Sequence, residues 1–239
     1  MRLLITRPQA EAEALAEILR ARGHVALVAP LMEVQVLEGP ELPLLAVQAV
    51  LATSANGVRA LAMRTTRRDL LVFSVGPQTA EAARSCGFAE VVSADGDAAA
   101  LAEFVAANLD PAKGPLLHAA GAETAGRLSQ ALQARGFSVE VIVLYEANPV
   151  TKLPDLAEAV LRDGTLDGVL LFSPRSAKIF AALVTEAKLA QACERVEAYC
   201  ISAATAAGLT PVIFSRVSVA GVPNQDAMLA LIPPPAPGP

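Results

Sequence analysis

The chain has 239 residues, a length that suits two domains of roughly 110 to 120 residues each better than one. It is 54% hydrophobic with a mean hydropathy of +0.46, yet no run approaches the roughly 18 consecutive apolar residues of a membrane span. A net charge of −5, no Trp, two Tyr, two His and three Cys without a CxxC argue against nucleic-acid binding, a disulfide frame and a His/Cys metal site.

Short apolar strands alternate with helix-period segments from end to end, the signature of an α/β fold with parallel sheets flanked by helices. Residues 2–6 read as a strand. Residues 9–22 read as a helix with Ala12, Leu15, Ala16, Ile18 and Leu19 on one face, ended by Gly23. Residues 25–29 form the next strand, with His24 before it as a surface turn residue. Strands at 49–52 and 71–75 each lead into a helix, opening at Ser54-Ala55-Asn56 and at Gly76-Pro77-Gln78-Thr79. Residues 90–93 precede a helix from Asp97 to about Asn108. Further strands are expected at 139–144, ending before Tyr145, at 169–172, and at 199–201, begun by Tyr199. Met1-Arg2-Leu3-Leu4-Ile5-Thr6-Arg7-Pro8 is too short and too quickly charged for a signal peptide. The tail 233–239 is proline-rich and is expected to be disordered.

The pattern repeats. Leu19-Arg20-Ala21-Arg22-Gly23 is echoed by Leu132-Gln133-Ala134-Arg135-Gly136. Thr53-Ser54-Ala55-Asn56-Gly57-Val58 is echoed by Phe172-Ser173-Pro174-Arg175-Ser176-Ala177, and Val75-Gly76-Pro77-Gln78-Thr79-Ala80 by Ile201-Ser202-Ala203-Ala204-Thr205-Ala206. The offsets grow along the chain, as loop insertions would make them, so a duplication outweighs chance similarity among alanine-rich helices. Polar, proline-rich stretches at 38–43 and 148–154 read as hinges.

In open α/β sheets ligands bind beyond the carboxyl ends of the strands, where helices begin. At those ends this chain places Thr6-Arg7-Pro8, Ser54-Ala55-Asn56, Gly76 to Thr79, Ala119-Ala120-Gly121, Ser173-Pro174-Arg175 and Ser202 to Thr205. Helix starts carry about half a positive charge and bind anions, so several on two lobes suit a ligand with many carboxylates. For any one loop, capping alone is the better explanation of the Ser, Thr and Pro, and it is the number of such loops that points to a ligand. Dinucleotide, P-loop and GxSxG fingerprints are absent. His118 lies near a strand end, where packing and ligand contact are both open; the cysteines read as small buried hydrophobes. Tyr145 sits at a domain joint, either packing there or donating a proton to a departing hydroxyl.

Taken in order, Ile5-Thr6-Arg7-Pro8, Ala52 to Val58, Val75 to Ala80, Leu144-Tyr145-Glu146, Leu171 to Ser176 and Ile201 to Ala206 resemble the uroporphyrinogen-III synthase family from Arg2 to about Ile232. The resemblance implies two similar α/β domains joined by a two-stranded connector, one of them discontinuous: residues 1–36 plus 149–232, with 39–146 inserted. It also implies a reaction: hydroxymethylbilane, a linear tetrapyrrole, loses water and closes with its last ring inverted. The steps run through an azafulvene and a spiro intermediate, with no cofactor and no metal. On this resemblance Tyr145 is the catalytic residue, assisting loss of the hydroxyl. Thr6, Arg7, Ser54, Asn56, Gly76, Thr79, Gly121, Ser173, Arg175, Ser202 and Thr205 hold substrate carboxylates. The expected setting is a cytoplasmic monomer in transient contact with the upstream enzyme. The alternative is a two-lobed tetrapyrrole binder without catalysis. Two departures from the family pattern stand out: Ala120, where a basic residue often precedes the glycine, and Ser202, where the counterpart loop has Gly76.

Overall fold

The computed structural model describes residues 1–123 and 127–234; from residue 235 onward the proline-rich tail lies outside the described residues. In chain order the first elements are β1 (Arg2–Ile5), α1 (Gln9–Ala21), β2 (Val25–Val28), β3 (Met32–Val36), β4 (Ala49–Ala52), α2 (Ala55–Arg64) and β5 (Leu71–Ser74). Then follow α3 (Pro77–Ser85), β6 (Glu90–Ser93), α4 (Ala98–Asn108), β7 (Leu116–Gly121), α5 (Arg127–Gln133) and β8 (Val139–Pro149). The remainder is α6 (Asp155–Arg162), β9 (Gly168–Leu171), α7 (Pro174–Glu186), β10 (Glu197–Cys200), α8 (Ala203–Ala207), β11 (Arg216–Val219) and α9 (Gln225–Leu229). No helix among the described residues is long and apolar enough to cross a membrane.

The chain divides into two units, one of Met1–Glu33 with Asn148 onward, the other Val34–Ala147. The first holds a five-stranded sheet in the order β11-β10-β9-β1-β2, all parallel. Its strands bury both faces because side chains alternate. Leu3, Ile5, Leu170 and Tyr199 pack with α1 and α9, through Leu15, Leu19, Met228 and Leu229. Leu4, Val169, Leu171 and Cys200 pack with α6 and α7, through Ala157, Leu161, Phe180 and Val184.

The second unit holds the order β3-β8-β7-β4-β5-β6, with β8, β7, β4, β5 and β6 parallel to one another. Val50, Ala52, Val72 and Leu117 meet α2 and α3 on one face; Ala49, Leu51, Phe73 and Leu116 meet α4 and α5 on the other. The chain passes from one unit to the other within β3 and again within β8.

Both sheets share one plan, with β9, β10, β11, β1 and β2 of the first standing where β4, β5, β6, β7 and β8 stand in the second. The repeat is therefore crossed. Each unit takes a βαβ arm (β1-α1-β2 or β7-α5-β8) from one sequence repeat and its remaining strands from the other.

Three local expectations need correction. His24 is no surface turn residue but is buried, 6% exposed. Gly23 takes φ +82 and the His24 N–H bonds back to the Leu19 carbonyl, an ending that presses the residue after the glycine onto the helix. Tyr199 lies within β10 rather than at its start, and its hydroxyl donates to Glu197 Oε2 at 3.0 Å. Tyr145 does not follow its strand, because β8 continues to Pro149. A bulge between Ala120 and Gly121 shifts the register and sets Gly121 opposite Tyr145.

Candidate functional site

Each unit gathers its candidate residues at the carboxyl ends of adjacent parallel strands. In the first unit these follow β1 (Thr6, Arg7), β9 (Ser173, Arg175) and β10 (Ser202, Thr205). In the second they follow β4 (Ser54, Asn56) and β5 (Gly76, Thr79), end β7 (Gly121), or lie in β8 (Tyr145).

In the first unit the hydroxyls are engaged with the fold. Thr6 is fully buried and donates to the Leu170 carbonyl at 2.8 Å, tying β1 to β9 at their ends. Ser173 caps α7, accepting the Ser176 N–H at 3.0 Å with the two hydroxyl oxygens 2.7 Å apart. Ser202 caps α8 the same way, with Thr205 N at 3.2 Å and Thr205 Oγ1 at 3.0 Å. The Arg7 guanidinium lies 4.6 Å from the Phe172 ring centroid and its Nη1 donates to Gln225 Oε1 at 3.2 Å. Stacked there, it presents a held positive charge just past the carboxyl end of β1. Arg175 is half-buried in the first turn of α7.

The second unit is more open at the matching place. Ser54 caps α2 through the Asn56 N–H at 3.2 Å, and Asn56 Oδ1 accepts from Arg59 Nη1 at 3.2 Å. Gly76 begins α3 with no side-chain cap, and a Cβ built on it meets nothing within 4 Å. Thr79, on that helix, is buried.

Tyr145 is 8% exposed and is set by two glycines. A Cβ on Gly121 would lie 2.6 Å from its Cζ and 2.7 Å from its hydroxyl oxygen. A Cβ on Gly57 would lie 3.6 Å from its Cε1 and 2.5 Å from the Ala119 carbonyl oxygen. Gly57 was not among the residues singled out from sequence. Its signal was a glycine inside a helix, tolerated at a cost of about 1 kcal/mol where backbones approach closely.

His118 is fully buried in β7, and burial lowers its pKa to about 4, so the imidazole is neutral near pH 7. Burial pushes Cys193 up to about 12 and Cys200 up to about 11, so neither is a thiolate nucleophile. Among the described residues no three His, Cys, Asp or Glu side chains group as a metal site.

The family model described as Uroporphyrinogen-III synthase HemD matches residues 13–230. Curated proteins yield no match. Among solved structures, uroporphyrinogen-III synthetase from Helicobacter pylori aligns with TM-score 0.63 and 18% identity, over 97% of this chain and 98% of that one. A mutant uroporphyrinogen III synthase from the extremely thermophilic bacterium Thermus thermophilus aligns with TM-score 0.51 and 21% identity, over 96% of each chain. At these identities the structural likeness speaks to the fold.

Proposed function

The chain belongs to the HemD family of uroporphyrinogen-III synthases, and from that premise we propose how its residues divide the work. The activity is that of a cyclising lyase acting without cofactor: hydroxymethylbilane loses water and closes to uroporphyrinogen III with its last ring inverted. The carrying observation is the family match over 13–230, nearly the whole chain.

Tyr145 is the catalytic residue. Its phenol donates to the terminal hydroxyl as that group departs as water, leaving the azafulvene that the last ring attacks through a spiro intermediate. The absence of a side chain at Gly121 supports this reading, since bulk there would displace the phenol. Substrate carboxylates are taken by Thr6, Arg7, Ser173, Arg175, Ser202 and Thr205 from one domain. Ser54, Asn56, Gly76, Thr79 and Gly121 take them from the other. Helix starts and held guanidinium groups suit carboxylates without a strong nucleophile, and this reaction asks for positioning and for exclusion of spontaneous closure. Residues 1–36 with 149–232 form one domain and 39–146 the other. The protein works as a cytoplasmic monomer, and the instability of its substrate favours a transient contact with the enzyme that supplies it.

The test is to mix the protein with freshly made hydroxymethylbilane and separate the products. Uroporphyrinogen III is expected; isomer I alone, at the spontaneous rate, overturns the reading. Tyr145→Phe is expected to lower kcat roughly 10- to 100-fold, at or below the usual contribution of one acid–base group, with the thermal unfolding midpoint unchanged.

A further inference from the structure

The repeat supplies an internal control for every position in the sheets. The register aligns Ile5 with Leu170 in one unit and His118 with Leu51 in the other, so His118 occupies the place of Ile5. Two residues beyond Leu170 and Leu51 come Phe172 and Thr53, which likewise correspond. In the first unit the pair is apolar, with Ile5 in the core and Phe172 packed against that core. In the second it is polar: Thr53 Oγ1 lies 3.4 Å from His118 Nε2. The same fold is thus built elsewhere in this chain without a polar pair at these positions.

Nor does the pair favour folding. His118 is fully buried, and its Nδ1 has no hydrogen-bond partner among the described residues. A buried polar atom left unpartnered costs stability, and one long hydrogen bond returns little of that. The gain lies where Thr53 sits, half-buried at the end of β4, directly before the Ser54 cap and in the strand beside that of Gly121.

We propose that His118 is a positioning residue that holds the Thr53 hydroxyl oriented toward substrate, and that Thr53 is a further carboxylate contact of the second unit. This rests on the function proposed above. The neutral imidazole keeps one ring nitrogen toward Thr53 and so fixes the hydroxyl's rotor, which an apolar residue at 118 would free.

The test compares Thr53→Val, His118→Ile and the double variant in the full chain, with His118→Gln as the conservative substitution. Wild-type protein converting hydroxymethylbilane to isomer III verifies the underlying reading first; isomer I alone overturns both. Each single substitution is expected to raise KM about 3- to 10-fold, the worth of one hydrogen bond, with kcat within about twofold. The double variant is expected to be no worse than the worse single one, because the two residues act as one device. His118→Gln is expected to recover most of the KM, and His118→Ile to unfold no earlier than wild type. A wild-type KM for His118→Ile, or penalties that multiply in the double variant, overturns the proposal. Should His118→Ile fail to fold, ¹⁵N-histidine spectra of the wild type decide. The His118 ring resonances are expected to shift when uroporphyrinogen III is added, and unmoved resonances overturn the proposal.

Discussion

A methyl group at Gly121 has no room, since it would enter the space of the Tyr145 ring and hydroxyl. Gly121→Ala is therefore expected to turn the phenol away and to cost about 1–3 kcal/mol, the usual penalty of overpacking. Denaturant titration with a turnover assay checks this, the activity falling further than the lost stability accounts for. His118 makes a second residue-scale prediction. Its pKa is lowered by burial from 6.5 to about 4, so between those values the unfolded chain binds more protons than the folded one and stability rises with pH. Above about pH 6.5 the ring is neutral in both states and carries no such penalty; as pH falls toward 4 the folded state loses about 3 kcal/mol relative to that plateau, and His24, lowered chiefly by burial, acts in the same direction. Unfolding free energy measured across that window is expected to slope less in His118→Ile. Tyr145 and Gly121 were legible in the sequence as separate motifs. Their contact was not, because a bulge in strand pairing creates it and no local pattern records a bulge.

Helix starts are where the element scale meets the chemistry. Ser173 and Ser202 each close their helix with a reciprocal pair of hydroxyls, whereas α3 starts from Gly76 with no side chain to spare. Loss of such a cap costs about 1 kcal/mol. Ser173→Ala is expected to lower stability by that amount, read by denaturant titration, and to raise KM as well if the hydroxyl also meets a substrate carboxylate. Most elements were legible because their periods are clean: 3.6 in α1, with Ala12, Leu15, Ala16 and Leu19 buried, and continuous apolar runs in β4 and β9. The far end of β8 was not, because Glu146, Ala147 and Asn148 look like a loop in isolation. What makes them a strand is tertiary: β8 runs between β7 and β3 in the sheet.

On the scale of the molecule, the crossed repeat governs what can be cut. A break near Lys113, where the sequence repeat invites one, removes β7-α5-β8 from the second unit's sheet and β1-α1-β2 from the first. Neither fragment then owns a complete core, so each alone is expected to lack the cooperative unfolding transition of the whole, while the two mixed together recover it. Circular dichroism melts of the fragments, separate and combined, check this. The duplication itself was legible in three echoed motifs. Its crossing was not, since strand order is a property of pairing and not of composition.

The crossing also carries a history. A chain one repeat long would be unable to complete its own sheet, but two such chains trading their first βαβ arms would complete both, as a swapped homodimer. Joining two such chains end to end would turn an encounter between molecules into one within a molecule, with the partner always at hand. It would also release the copies from identity. A symmetric dimer must carry the same residue twice, whereas here one unit has Ile5 and Phe172 where the other has His118 and Thr53. In a single joined chain each unit can change a position without forcing the same change on its twin.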